Sequence, residues 1–259
     1  MSKWVKLTVS ESVATVMLDN PVRRNALSGE LVKEFLSVIK KIKEDASIRV
    51  VVIRGAGDHF CAGADIQWMK SLSEASYEDN KEDALQLAEL FHQLYHLTKP
   101  TVALVQGAAI GGALGILSCC DLVIAQEKTQ FAFSEVKIGL VPAVISPYIM
   151  AAIGVRQARR YFLTAETFFS HTAMQLGLVH IVSDELDATA TPYIKSFLQS
   201  GPQALGVTKE LISLVAFQPI GSKLAEETAE INARMRRSEE GREGLSAFLQ
   251  KRKPSWQLV

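Results

Sequence analysis

Apolar positions recur at two spacings along the first half of the chain, and the chain switches between them repeatedly. The run Val13–Leu18 (VATVML) is short and β-prone, and it stops at Asn20-Pro21. Leu27, Leu31, Phe35, Ile39 and Ile42 then recur every three or four residues, which predicts one apolar face of a helix. Residues 49–54 (RVVVIR) read as a buried strand closed by Gly55-Ala56-Gly57. Another helix is expected to begin beyond Cys61-Ala62-Gly63-Ala64-Asp65. A second helical stretch covers roughly residues 82–97 and ends at Lys99-Pro100, since the residue before a proline disfavours helix. A strand at Thr101–Val105, a glycine-rich turn, a helix from Gly111 and a strand at Leu122–Ala125 follow. From Gln157 onward the pattern is mostly helical apart from a strand-like stretch at 178–182, and 234–253 reads as a charged, exposed or interface helix. Buried strands alternating with helices predict an α/β domain with parallel pairing. No internal repeat or low-complexity linker is evident. A soft boundary near residue 200 separates a core, 1–200, from a helical region, 201–259.

Composition narrows the function classes. The 259 residues carry 28 basic and 28 acidic side chains, so no overall field steers the molecule toward nucleic acid or an anionic membrane. The longest apolar run, 108–120, is broken by glycines and too short to span a bilayer. The first nine residues lack a signal-peptide pattern. Three cysteines, two of them the neighbours Cys119 and Cys120, make neither a disulfide framework nor a zinc spacing. A reducing compartment, the cytoplasm, is the expected location, with no metal.

Two glycine-rich loops each follow a strand and precede a helix, where free backbone N–H groups can hold an anion. Neither is a nucleotide motif. In the first loop Gly55 and Gly57 meet two positions of G-x-G-x-x-G, but the last is Phe60; in the second, Ala109 stands between Gly107 and Gly112. Two readings stay open at this point: a pair of ordinary tight turns, or two loops that each aim an amide at one oxygen, as in acyl chemistry.

Four blocks in order carry a resemblance. Residues 59–66 (HFCAGADI) resemble the F-x-A-G-A-D-[I/L] signature of the enoyl-CoA hydratase/isomerase (crotonase) superfamily. Residues 100–121, with their closing Cys-Asp, resemble its second loop. Residues 131–142 (FAFSEVKIGLVP) resemble its F-x-x-P-E-x-x-x-G-x-x-P block, and Asn20 with Asn25-Ala26-Leu27 its early N-x-x-x-x-N-A-[L/M] stretch. The resemblance implies a repeated ββα spiral core, a C-terminal helical part that builds homotrimers or homohexamers, and an acyl-CoA thioester substrate. No cofactor is implied, coenzyme A being part of the substrate. By position, the backbone N–H groups of Ala64 and Gly112 would form an oxyanion hole, with Gly111 beside them on the substrate's path. The backbone around Ala62, Asp65 and Ile66 would contact adenine, Arg23 or Arg24 would meet phosphate, and Lys251 would reach a neighbouring subunit's nucleotide. For these basic residues solvated surface charge is an equal reading.

One departure bears on the chemistry. Hydratases of this superfamily typically use two glutamates; Glu135 matches the second, but Gly115 stands where the first would be. One carboxylate beside an oxyanion hole suffices to move a proton between carbons, which favours a Δ3,Δ2-enoyl-CoA isomerase. Against this, Gln67-Trp68-Met69, Tyr77-Glu78-Asp79-Asn80, Ser118-Cys119-Cys120-Asp121 and residues 141–148 look like bacterial 3-methylglutaconyl-CoA hydratases of leucine breakdown, a subgroup that also tolerates a non-acidic residue there. The leading expectation is therefore a hydratase-type lyase acting on a 2-enoyl-CoA, with Glu135 as acid/base. An isomerase, a non-catalytic CoA-ester binder and an RNA binder are the alternatives. Only the cluster Arg234, Arg236, Arg237, Lys251, Arg252 and Lys253 supports RNA. The three cysteines read as inert buried thiols, and His92 with His96, four apart on a helix, as a weak metal signal.

Overall fold

The computed structural model describes residues 3–257, in which nine strands and ten α-helices are built around two sheets. In chain order they are β1 (Val5–Ser10), β2 (Val13–Leu18), α1 (Gly29–Glu44), β3 (Val50–Gly55), α2 (Ile66–Glu74), α3 (Tyr77–Tyr95), β4 (Thr101–Val105), β5 (Ala108–Ile110), α4 (Gly112–Ser118), β6 (Leu122–Ala125) and β7 (Gln130–Ala132). There follow α5 (Ser146–Thr164), β8 (Phe168–Phe169), α6 (Ser170–Leu176), β9 (Ile181–Val182), α7 (Leu186–Gln199), α8 (Pro202–Val215), α9 (Ser222–Arg237) and α10 (Glu239–Leu249).

The larger sheet runs β1-β2-β3-β4-β6-β9, parallel except for the β1–β2 hairpin. Its centre is covered on both faces, which is why β3, β4 and β6 are near-continuous Val, Ile, Leu and Ala rather than alternating. The smaller sheet is β5-β7-β8. Together they generate a spiral. Each turn leaves a strand in the large sheet, passes through the small one and closes with a helix, as in β4–β5–α4. The first two turns touch the small layer only through single bridges, Leu27 with Ala64 and Cys61 with Ala109. Those bridges place residues 61–65 directly beside 108–112, so the two glycine loops become neighbours. The α/β architecture and the repeated ββα spiral expected from the resemblance are what the chain forms.

The differences have local causes. β1, an edge strand with most of its side chains exposed, is not among the elements predicted above, although Val5, Leu7 and Val9 alternate there with Lys6, Thr8 and Ser10. β5, β7 and β8, two or three residues each, are below the length at which a period is readable. Leu27 lies outside α1, held in the bridge, because Ser28 caps the helix with its Oγ accepting from the Leu31 amide. Likewise Ser76 starts α3 at Tyr77, earlier than the periodicity suggests. The strand-like stretch 178–182 contracts to β9, and the charged stretch 234–253 is two helices separated at Ser238, whose Oγ caps α10 at the Gly241 amide, 2.9 Å away. No helix among the described residues is long and apolar enough to cross a membrane.

Candidate active site

The two loops open onto a cavity of about 530 Å3 lined by Ala64, Gly111, Gly112, Glu135 and an apolar wall that includes Met69 and Leu87. Most loop amides already have acceptors. Ala62 donates to Arg24 O (2.9 Å), Asp65 to Leu27 O (2.7 Å) and Gly111 to Ala132 O (2.9 Å). The amides of Ala64 and Gly112 have none among the described residues, and both line the cavity. Gly112 begins α4, so its N–H points out of a helix start. Gly111 has φ 54 and ψ −119, a conformation that only glycine adopts readily, and a Cβ built there would lie 2.9 Å from Glu135 Oε1. Gly111→Ala should therefore cost on the order of 1–3 kcal/mol of backbone strain and push the Glu135 carboxyl aside; steady-state kinetics should show kcat falling far more than unfolding midpoints.

Glu135 opens a short 3-10 turn after β7, next to Ser134, which also lines the cavity. Its Oε2 is buried and has no hydrogen-bond partner. Burial pushes its pKa above the usual 4.5, opposed only by a backbone hydrogen bond. The sign of the linkage follows. The folded state holds this proton more tightly than the unfolded one, so the group stabilises the fold below 4.5 and that contribution is lost as pH rises through the raised value. Relative to wild type, Glu135→Gln should gain unfolding midpoint as pH rises above the ordinary value of 4.5. The ionised form is the base, so wild-type activity should rise with pH over the same limb.

Where a second glutamate is missing, the space is filled. A Cβ built on the buried Gly115 would stand 2.5 Å from Ile145 Cγ2 and 2.8 Å from Phe91 Cζ. Neither Phe91 nor Ile145 was legible as part of the site, because each belongs to the core face of its own segment.

The other expected residues gather in an adjoining groove of about 690 Å3, lined by Arg23, Arg24, Ala62, Asp65, Ile66 and Gln67, which shares Ala62, Ala64 and Ile66 with the cavity. Asp65 is built into the loop. Its carboxylate accepts from the Gln67 and Trp68 amides, capping α2, and from Arg23 Nη1 at 2.8 Å. Burial alone would raise its pKa, but those amides and the guanidinium outweigh it and hold it below the usual carboxylate value. Its amide and carbonyl are also engaged, with Leu27 and Met69, whereas no hydrogen bond to the Ala62 carbonyl occurs among the described residues. Arg23 is clasped a second time by Gln67 Oε1 (2.8 Å), so its guanidinium is oriented rather than free. Ile66 is 79 % exposed and lines both the groove and the cavity. Lys251 is not brought here: it follows α10, exposed and left-handed at φ 53, at neither cavity.

Burial pushes the thiols of Cys61 and Cys120 up to about 12 and that of Cys119 well above its usual value. The His92 and His96 rings lie 4.6 Å apart, and no third metal-ligating group joins them among the described residues.

The enoyl-CoA hydratase/isomerase family model matches residues 8–258 of the chain. The chain belongs to the enoyl-CoA hydratase/isomerase family. Within that family, a short-chain-enoyl-CoA hydratase of Clostridium acetobutylicum is 30% identical over 245 residues, 93% of this chain and 92% of its own length. The crystal structure of an enoyl-CoA hydratase from Shewanella pealeana superposes with a TM-score of 0.97 at 42% identity, covering 98% of this chain and 96% of that one. Pseudomonas aeruginosa AtuE superposes at 0.93 with 34% identity, covering 98% and 100%. The site combines, among the described residues, unengaged loop amides and a half-buried carboxyl with an apolar plug at Gly115.

Proposed function

We propose that the protein hydrates a 2-enoyl-CoA thioester, with the Ala64 and Gly112 amides as the oxyanion hole and Glu135 as the acid/base. The observation that carries this is the Glu135 carboxyl, whose Oε2 is buried without a hydrogen-bond partner, in one cavity with two amides that lack acceptors among the described residues. In the reaction the thioester oxygen accepts from both amides. Glu135 takes a proton from water as the oxygen of that water bonds to C3, and electron density moves through C2 onto the thioester oxygen. The protonated Glu135 then returns a proton to C2, so one water has been added. Fixed amides stabilise the enolate more than the neutral thioester, which is what accelerates the step. The hydratase names of the Clostridium and Shewanella relatives support water as the nucleophile.

A second reading rests on the plug of Phe91 and Ile145 at Gly115. With one carboxyl at the reacting carbons, Glu135 can remove the C2 proton of a 3-enoyl-CoA and redeliver it at C4. Mass spectrometry of products from 2-enoyl-CoA and 3-enoyl-CoA esters separates these. A product heavier by one water supports hydration; unchanged mass with the double bond in conjugation supports isomerisation; no product from either removes both. 3-Methylglutaconyl-CoA is the specific 2-enoyl ester to include in that assay; among the described residues the lining contains no Lys, Arg or His for its distal carboxylate.

The groove past Ile66 is the proposed path of the coenzyme A moiety, with Arg23 or Arg24 at phosphate and the Ala62 carbonyl at adenine. We also propose assembly as a homotrimer or homohexamer through residues 201–259, in keeping with the exposure of Phe217, Ile220 and Phe248. Light scattering on the purified protein should give three or six chains; a monomer would remove this proposal. Three free, buried cysteines fit a cytoplasmic setting.

A further inference from the structure

Trp68, Asn80 and Asp83 are the polar side chains that α2 and α3 give to the cavity wall among the described residues, and the donors among them are already engaged. Trp68 donates its Nε1–H to Asp83 Oδ1 at 3.0 Å, so the indole proton is engaged. The pair is backed by the first turn of α1, where a Cβ built on Gly29 would sit 3.6 Å from Trp68 Nε1 and 3.8 Å from Asp83 Oδ1. Asn80, one turn before Asp83 on α3, donates its amide to the carbonyls of Leu72 and Ser76, both at 2.9 Å. Three carbonyls around that nitrogen, including Ala75 O, fix which end of the amide is which. Asn80 and Asp83 both line the cavity, and Asn80 Oδ1 and Asp83 Oδ2 are not hydrogen-bonded among the described residues. Both can only accept. Burial pushes the Asp83 pKa up, partly offset by the indole hydrogen bond and by the charge of Lys33, which does not line the cavity.

We propose that Asp83, with Asn80 beside it, is the acyl-specificity site, and that it selects chains ending in a hydrogen-bond donor such as a hydroxyl over chains ending in a carboxylate. A hydroxyl donates to Asp83 Oδ2 in a charge-assisted bond. A carboxylate meets two acceptors and a like charge, with no donor to replace its water. The inference rests on the reading of the cavity as an acyl-CoA site and names the substrate class for it.

Saturated five-carbon esters bind without turnover and isolate the tail: pentanoyl-CoA, 5-hydroxypentanoyl-CoA and glutaryl-CoA, titrated calorimetrically into the wild-type protein and Asp83→Asn. The hydroxylated ester should bind about tenfold more tightly than glutaryl-CoA, the worth of one charge-assisted hydrogen bond. Asp83→Asn, which removes the charge and adds a donor, should close most of that gap by improving glutaryl-CoA. Equal or tighter binding of glutaryl-CoA to wild type overturns the specificity site while leaving the acyl-CoA reading intact, and so does an unchanged gap in a folded variant. If none of the three esters binds, the acyl-CoA reading falls and takes the specificity site with it. The wild-type ranking alone decides the matter should the variant fail to fold.

Discussion

Glu135→Gln should lower turnover by about two to four orders of magnitude, the range for loss of a general acid–base group, while a saturated acyl-CoA still binds within a few-fold of wild type. The substitution is nearly isosteric, and Oε2 has no partner to lose. The oxyanion amides belong to other segments, Ala64 before α2 and Gly112 at the start of α4, so their geometry does not depend on the carboxyl. Ground-state binding and proton transfer should therefore separate, with kcat falling and the dissociation constant holding. Activity within tenfold of wild type would remove Glu135 from the chemistry. Loss of binding together with activity would instead mark the side chain as part of the scaffold.

Gly115→Glu should not restore a second carboxylate; it should cost the fold. Even the first carbon of the new side chain collides with Ile145 at 2.5 Å and Phe91 at 2.8 Å, and Phe91 is fully buried. Overpacking of this kind costs about 1–3 kcal/mol, and an unpaired carboxylate in apolar surroundings adds several more. A loss on the order of 4 kcal/mol would lower the unfolding midpoint by roughly 10 °C in a chain of this size. Gly115→Ala isolates the steric part and should lose the smaller share. Thermal unfolding of both variants reads the difference directly. A stable Gly115→Glu protein with raised hydration would show that Phe91 and Ile145 yield, and that the lone-carboxyl description of this site is wrong.

Legibility differed from element to element. α1 was readable because Leu31, Phe35, Ile39 and Ile42 all face the core, giving a strong helical period over sixteen residues. β3, β4 and β6 were readable as short, mostly apolar runs. Both loops and Glu135 were legible as short blocks, since backbone donors need small residues in a row. The bridges of Leu27 and Cys61 were not, because a single paired residue leaves no pattern; β1 was passed over although its apolar and polar residues alternate, its exposed edge position leaving little apolar bulk.

The chain's local order thus carries the elements, the two candidate donor loops and the lone glutamate. Tertiary packing alone decides what surrounds them. Phe91 on α3 and Ile145 just before α5 reach Gly115 from separate segments, and Trp68 meets Asp83 from a different helix. Asp65, readable as a loop residue, turns out to hold Arg23 and cap α2 at once. Periodicity reports which face of one element is buried, whereas a cavity's shape and its balance of donors and acceptors depend on which distant faces meet and on where each polar hydrogen is already engaged.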